Sequence, residues 1–212
     1  MTDRAAPPTD PTTPPPARPS RRRLFIVIAI AVVVGVATYI GVQFALRALD
    51  NAVTQSQSEA VDEPEKSEAT EPYVSETDGF TVTGPGTPER SESTQTVEGI
   101  EITQTQTVWT DGSSSFIVGA AEFPDISGTP IDEVLDGSVS GMSDAISGST
   151  VRTSEKTTVH GEPAVAGVVD IEGSPSYHFL IVLHNGWQYV LLVSELDDSR
   201  DEDFIASFDF TS

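Results

Sequence analysis

Hydrophobic and polar positions divide the chain into four parts, and one long apolar stretch sets the division. Residues 24–46 contain no charged side chain, and Gln43 is the one strongly polar residue among them. At ~1.5 Å per residue a helix of this length spans roughly 34 Å, which exceeds the ~30 Å hydrocarbon core of a bilayer. The pattern therefore predicts a transmembrane helix over residues 24–46.

Charges that flank this stretch predict its orientation. Residues 21–23 are all arginine, whereas Arg47 alone follows the stretch closely. By the positive-inside rule the amino terminus is cytoplasmic and residues 48–212 are extracytoplasmic. The alternative is a cleaved export signal, but the apolar run is longer than a normal signal and its best small-residue site, residues 35–37, lies inside it.

Both flanking segments have the composition of disordered chain. Residues 1–23 are rich in Pro, Thr and Arg without apolar periodicity, which predicts a disordered, Pro-rich, basic cytoplasmic tail. Residues 47–78 combine many acidic side chains with Ser, Thr, Gln and Pro, so they bury too little apolar surface to fold. We expect an extended acidic stalk over residues 47–78 and a folded domain over residues 79–212.

A hairpin forms the centre of the predicted domain. Asn185-Gly186 separates two apolar runs, and both central residues of a type I′ turn need positive φ. Pairing His184 with Trp187 leaves both faces of the hairpin apolar, so we expect it to be covered on both sides. The other predicted strands lie at residues 80–83, 97–110, 115–123, 151–159, 164–171 and 208–211, of which the polar strand 151–159 is typical of a sheet edge.

One helix is predicted where apolar residues from Ile131 to Ile146 recur every three or four positions. Thr129 and Asp132 match a T-x-x-D cap. Pro130 suits the first helical position, and Gly148 ends the helix.

A second, short helix is predicted over residues 200–207. Ser199 and Glu202 match an S-x-x-E cap, and Phe204 and Phe208 lie on the apolar side. Taken together, the elements predict an α+β domain in which an antiparallel sheet of about six or seven strands packs against two helices.

Composition narrows the classes of function. The chain has no cysteine, which excludes disulfides, thiolate metal sites, a cysteine nucleophile and a lipidated cysteine. The formal net charge is −22, and beyond Arg47 there are 31 Asp and Glu residues against five Lys and Arg. This charge repels nucleic acid and favours basic partners or weakly bound cations. We predict no nucleic-acid binding and no cofactor.

The three histidines do not predict a metal site. His178 and His184 lie six residues apart on one strand, hence roughly 20 Å apart at ~3.3 Å per residue, so they cannot bind one ion. His160 lies at a strand end beside Gly161.

Two further patterns resemble functional motifs and are interpreted as structural. Residues 197–203, DDSRDED, resemble a calcium loop, but Glu202 stands where such a loop needs Gly, so we interpret them as acids that cap the final helix. Residues 137–141, GSVSG, have valine in the nucleophile position and lie inside a helix, where their glycines favour close packing on the sheet. Trp109 and Trp187 are interpreted as core or sheet-surface aromatics. We therefore assign no catalytic, cofactor-binding or metal-binding residue.

Five strings within residues 79–212 mark the order of the elements: GFTVTGPGTP, FPDISGTPID, VHGEPAVAGVVDI, YHFLIVLHNGWQYVLLV and FIASFDF. This order resembles the PsbP-like fold, in particular bacterial extracytoplasmic domains and actinobacterial lipoproteins of the LpqN type. The resemblance implies an exported, often anchored α/β/α sandwich without established catalysis. In this chain residues 24–46 replace the lipidated cysteine, and no functional residues carry over because there is no fixed catalytic motif to match.

Placement, charge and resemblance favour a non-enzymatic, single-pass binding module of the bacterial cell envelope. It would contact membrane lipid through residues 24–46 and an envelope protein or cell-wall component through an acidic face. One alternative is a hydrolase that uses carboxylates, which predicts an acid with a raised pKa in a pocket. Another is a ligand-sensing domain that signals through a partner, and the oligomeric state stays open.

Overall fold

The computed structural model describes residues 72–97, 100–112, 114–122, 129–194 and 199–211. Within these ranges the chain forms ten strands and two helices. In order they are β1 Tyr73–Ser75, β2 Phe80–Val82, β3 Glu89–Val97, β4 Ile100–Asp111, β5 Ser114–Glu122, α1 Ile131–Ala145, β6 Ser149–Val159, β7 Glu162–Ile171, β8 Tyr177–His184, β9 Trp187–Ser194, α2 Arg200–Ala206 and β10 Asp209–Phe210.

The strands form two separate sheets. Seven strands pair antiparallel in the order β3-β4-β5-β9-β8-β7-β6, and β1, β2 and β10 form a small sheet with β2 in the middle. The predicted α+β class with two helices is confirmed, and β6 is an edge strand as predicted. The small sheet differs from the prediction of a single sheet.

The hairpin of β8 and β9 lies near the middle of the large sheet, and its predicted register is confirmed. His184 pairs with Trp187, and Asn185 and Gly186 between them have φ angles of 47° and 84°. Positive φ at both positions is what a type I′ turn requires. Because strand side chains alternate between faces, the hairpin contributes to the core on both sides of the sheet.

Each face of the large sheet packs on a different layer. On one face, Phe179, Ile181 and Leu192 pack with the buried residues of α1. On the opposite face, strand residues such as Leu180 and Leu191 belong to a second cluster. That cluster includes residues of the small sheet, of α2 and of the segment after it, among them Phe80, Val82, Phe204 and Phe208. Both faces of the hairpin are therefore covered, as predicted.

Ordered structure begins earlier in the chain than predicted. Residues 73–75, assigned to the disordered stalk, form β1, which pairs with β2. Tyr73 packs edge-on against Trp109 at a centroid distance of 5.5 Å, and this aromatic contact holds β1 against the domain. The rest of the predicted stalk, up to residue 71, lies outside the described residues, as does the predicted tail.

Strand β3 was not predicted. Its sequence, ERSESTQTV, has no apolar alternation, and residues 97–110, predicted as one strand, are the end of β3 and most of β4. The strand is defined by nine consecutive pairs with β4, and its described side chains, residues 89–94 and Thr96, are exposed.

Neither predicted helix cap forms. The N-cap of α1 is Pro130, with an extended ψ of 130°, so Thr129 lies one position too early. The N-cap of α2 is Ser199, with φ −77° and ψ 8°, and no side-chain cap bond is made there. Its backbone is not in the extended region from which a capping hydroxyl reaches the N–H groups of the first turn.

Neither helix in the described ranges has the length and apolarity that a membrane crossing requires. Residues 24–46, predicted to cross the membrane, lie outside those ranges.

Candidate functional site

All the cations of the described residues are engaged in ion pairs with carboxylates. There are four of them, and each contacts at least one acidic side chain: Arg90 with Asp78, Arg152 with Asp170, Lys156 with Asp132 and Asp136, and Arg200 with Asp111. The same ranges contain 19 Asp and Glu residues. The described part of the domain therefore carries an excess of negative charge, and each of its Lys and Arg residues already contacts a carboxylate.

Helix α1 concentrates part of this charge in one row. Asp132, Asp136 and Asp144 are exposed, and the intervals of four and eight residues place them in an inclined row that turns through about 120° on one side of the helix, with Glu133 beside it. The opposite side buries Leu135 and Met142 against the sheet. We call Asp132, Glu133, Asp136 and Asp144 the acidic helix face.

Lys156, on β6, reaches the start of this face. Its Nζ lies 3.4 Å from Asp132 Oδ1 and 3.4 Å from Asp136 Oδ2. Desolvation lowers the pKa of Lys156, but the hydrogen bonds of the two carboxylates outweigh it and raise the pKa above its ordinary value. One ammonium group is thus shared between two carboxylates, and the row keeps a net negative charge.

A buried carboxylate lies at the entry to the domain. Asp78, 1% exposed, accepts hydrogen bonds from Arg90 Nε at 3.3 Å, from the Arg90 guanidinium at 3.1 Å and from Ser75 Oγ at 2.6 Å. The Tyr189 hydroxyl donates to the backbone oxygen of Asp78 at 2.8 Å. We call Ser75, Asp78, Arg90 and Tyr189 the entry clamp, because they fix the segment that leads from residue 72 into β2.

The entry clamp shifts the pKa values of Arg90 and Tyr189. Hydrogen bonding to Asp78 raises the pKa of Arg90 above its ordinary value. Burial, together with the negative charge of Asp78, raises the pKa of Tyr189 to about 12. Both shifts favour the forms that make the clamp, a charged guanidinium and a neutral phenol.

The three histidines have separate partners. His178 Nδ1 lies 3.0 Å from Asp201 Oδ2, and His184 Nδ1 lies 3.3 Å from Glu162 Oε1. His160 Nε2 makes a 2.9 Å hydrogen bond with the backbone oxygen of Phe208. No group of three or more metal-ligating side chains occurs among the described residues.

His184 and His160 both contact Phe210 of β10. The His184 ring stacks on Phe210 at 3.9 Å between centroids, whereas the His160 ring meets it edge-on at 6.0 Å. In this arrangement the two histidines hold the last strand against the tips of two hairpins, a structural role that the sequence did not indicate.

Asp201 lies in the first turn of α2, as predicted for the acids of this segment, but its side chain is also buried. It is 3% exposed and contacts His178. Glu202 and Asp203 are exposed in the first turn of α2, where acids favour the positive end of a helix. Residues 197 and 198 lie outside the described part, so the calcium-loop comparison stays a prediction.

The remaining sequence patterns have structural explanations. Ser138 and Ser140 each donate to a backbone oxygen four residues earlier in α1, at 2.8 and 3.0 Å, so both hydroxyls are used within the helix. Gly137 was expected to permit close packing, but a Cβ there would meet nothing within 4 Å, and that expectation was wrong. Trp109 is buried in the core, and Trp187 stacks on Tyr189 at 6.2 Å.

Comparison with known proteins finds likenesses among solved structures, two of which are described below. No protein-family model matches the sequence, and no curated protein matches it. The solution structure of cyanobacterial PsbP (CyanoP) from Synechocystis sp. PCC 6803 is similar with a TM-score of 0.46 and 15% identity, covering 73% of this chain and 97% of that one. A protein of unknown function, PA94 from Pseudomonas aeruginosa, is similar with a TM-score of 0.35 and 6% identity, covering 50% of this chain and 83% of that one. At these scores the fold description rests on the strand order and layers given above.

Proposed function

We propose that this chain is a single-pass membrane protein whose extracytoplasmic α+β domain binds a basic partner in the bacterial cell envelope. Residues 24–46 would anchor it in place of the lipidated cysteine of LpqN-type lipoproteins. The partner would be an envelope protein or a cell-wall component. The observation that carries the proposal is that every Lys and Arg of the described residues is already paired with a carboxylate.

This charge distribution favours a partner with a positively charged surface. A cationic surface that approaches the described part of the domain meets an excess of carboxylates, because each Lys and Arg there is already paired with one. An anionic polymer is repelled by the same charge. The acidic helix face is the strongest candidate for contact because its charges lie in one row on an exposed helix. Contacts of this kind act over about 8 Å at physiological salt and weaken as salt rises.

The buried carboxylates give no support to a hydrolase. Asp78 is held by Arg90 and Ser75, and Asp201 contacts His178 and accepts a hydrogen bond from the backbone N–H of Glu202 at 3.0 Å. In these positions both carboxylates are engaged in contacts within the fold. A general acid would instead need to contact a reacting group.

The test is cross-linking in intact cells with an affinity tag at the C-terminus, followed by mass spectrometry. We expect a reproducible envelope partner linked near the acidic helix face. Neutralising Asp132, Asp136 and Asp144 to Asn should reduce its capture by roughly 3- to 150-fold, from ~0.2–1 kcal/mol per exposed charge. The effect should be larger at low salt.

The matched control neutralises three exposed acids elsewhere, with Glu202→Gln, Asp203→Asn and Asp209→Asn. This variant changes the net charge equally and should retain capture. An equal loss in both variants would show that net charge, not the acidic helix face, recruits the partner. Capture that ignores both charge and salt would refute the electrostatic part, and capture of bystanders alone would refute the binding module.

A further inference from the structure

A partly exposed tryptophan lies at the end of the large sheet, beside the turn that joins β8 to β9. Trp187 packs against the second core cluster and stacks on Tyr189, with ring centroids 6.2 Å apart. Trp109 and Phe80 of that cluster are buried, whereas Trp187 keeps part of its surface in contact with solvent. The fold therefore leaves part of one large aromatic residue uncovered.

Two carboxylates flank Trp187 on the same face of the sheet. Glu122 of β5 lies directly opposite Trp187 on one side, and His184 of β8 lies opposite it on the other. Directly opposed residues point to the same face, with Cβ atoms about 4.5–5.5 Å apart. His184 Nδ1 in turn lies 3.3 Å from Glu162 Oε1. An acid, an indole, an imidazole and a second acid thus form one row, which we call the Trp187 site.

Neither acid of the row is paired with a Lys or Arg of the described residues. The four cations in that part of the chain pair with other carboxylates, and none forms an ion pair with Glu122 or Glu162. Glu122 is exposed, and the Glu162 side chain is 38% exposed. Both carboxylates are therefore available to a cation that arrives from solvent, and the indole lies between them.

This combination matches the chemistry of an arginine side chain. A cation within ~6 Å of an aromatic face is attracted by the ring, and tryptophan attracts it most strongly. The guanidinium group is planar, so it stacks on an indole while its N–H groups donate to a carboxylate beside the ring. The ammonium group of lysine is a compact, strongly hydrated charge that cannot stack in this way.

We propose that the Trp187 site binds the guanidinium group of an arginine on the basic partner. The inference rests on the proposed function for the nature of that partner, and it adds the side chain by which the partner is held. The site lies on the face of the sheet opposite α1, because Trp187 belongs with the second core cluster. It is therefore distinct from the acidic helix face and can be tested separately.

The position of the Trp187 site leaves β1 undisturbed. Tyr73, the first residue of β1, contacts Trp109. Trp109 pairs with Phe116, which pairs in turn with Val193. Val193 and Trp187 are six residues apart on β9, hence about 20 Å at ~3.3 Å per residue. A partner thus reaches Trp187 at the opposite end of the sheet from the start of β1.

Nuclear magnetic resonance of the indole N–H groups gives a local readout of binding. The full chain, labelled with 15N-tryptophan and held in detergent micelles, contains two tryptophans, and Trp187→Phe assigns their signals. The probe is a capped tri-arginine peptide. We expect the Trp187 signal to shift and saturate while the signal of the buried Trp109 does not, and a capped tri-lysine peptide to bind at least threefold more weakly. An unshifted Trp187 signal, or equal binding of the lysine peptide, overturns the proposal.

Matched substitutions separate this site from the general negative charge of the domain. Glu122→Gln and Glu162→Gln should each weaken binding of the arginine peptide roughly 1.5- to 5-fold. The control, Glu172→Gln, removes an exposed acid from the turn at the other end of β8 and should leave the affinity unchanged. Trp187→Leu should weaken binding roughly 2- to 5-fold by calorimetry. Circular dichroism confirms folding, and equal losses in Glu122→Gln and Glu172→Gln overturn the site.

The peptide titration needs no cellular partner, so the two proposals fail separately. Saturable binding at Trp187 without an envelope partner in cells would refute the binding module and leave the guanidinium site standing. Capture of a partner at the acidic helix face, without peptide binding at Trp187, would overturn the guanidinium site and leave the binding module standing.

Discussion

The entry clamp makes the sharpest stability prediction. Asp78 is 1% exposed, and Arg90 supplies two of the three side-chain hydrogen bonds that its carboxylate accepts. Replacing Arg90 with Met keeps much of the aliphatic stem but removes the guanidinium. Among the described residues, the Ser75 hydroxyl is then the one remaining side-chain donor to the buried Asp78 carboxylate.

The magnitude follows from this burial. Breaking a buried ion pair by removing one partner costs about 3–5 kcal/mol, because the remaining charge is uncompensated. The Arg90 side chain is 33% exposed, so water reaches part of the pair, and we expect a loss near the lower end, about 3 kcal/mol. This is a large part of the ~5–15 kcal/mol by which a domain is stable.

The assay is urea unfolding followed by the fluorescence of the two tryptophans, Trp187 and Trp109, the latter buried against Tyr73 and Phe204. The control is Arg152→Met, which removes the same group from an exposed pair with Asp170 and should cost no more than ~1 kcal/mol. A double variant, Arg90→Met with Asp78→Leu, should be more stable than Arg90→Met alone. Equal losses for Arg90→Met and Arg152→Met would refute the reasoning.

Three further predictions concern single residues. The pKa of Tyr189 is about 12 in the folded domain against an ordinary 10.0, so the neutral phenol stabilises the fold fully below pH 10 and this stabilisation is lost between pH 10 and 12. The free energy of unfolding, measured against pH, should fall over this range, and the fall should be absent in Tyr189→Phe. Gly167→Ala should destabilise by ~3 kcal/mol or prevent folding, measured by urea unfolding, because its Cβ would lie 2.0 Å from the Thr153 backbone oxygen. Gly137→Ala should stabilise by ~0.5–1 kcal/mol in the same assay, because Ala loses less backbone entropy than Gly in a helix and its Cβ meets no atom within 4 Å. A loss of stability would contradict the packing described.

The sequence predicted those features of the fold that depend on residues close to one another along the chain. The turn at Asn185 and Gly186 was predictable because its φ angles are a local requirement, and the alternation around it determined which residues face each layer. Helix α1 was predictable from spacing alone, but its cap was not, since one residue of shift moves Thr129 out of position.

Features that depend on distant contacts could not be predicted. β3 has no periodic signal of its own and is ordered through pairing with β4. The contact of Asp201 with His178 joins α2 to β8, and the contact of Arg90 with Asp78 joins β3 to the turn before β2. In each case the acid lies in a polar stretch of sequence, which indicates an exposed surface residue. Only the folded structure shows the distant element that contacts it.

The small sheet has a consequence for the order in which the domain is made. β2 pairs on one side with β1 and on the other with β10, and Thr211 N–H donates to Gly79 O at 3.0 Å. During synthesis β1 and β2 are therefore made more than a hundred residues before β10, and the core cluster to which Phe208 belongs stays incomplete until then. Partly made chains should be sensitive to proteases and in need of a chaperone, and resistance should appear only when residue 210 has emerged. The small sheet and the second core cluster therefore depend on residues at the end of the described chain for their completion.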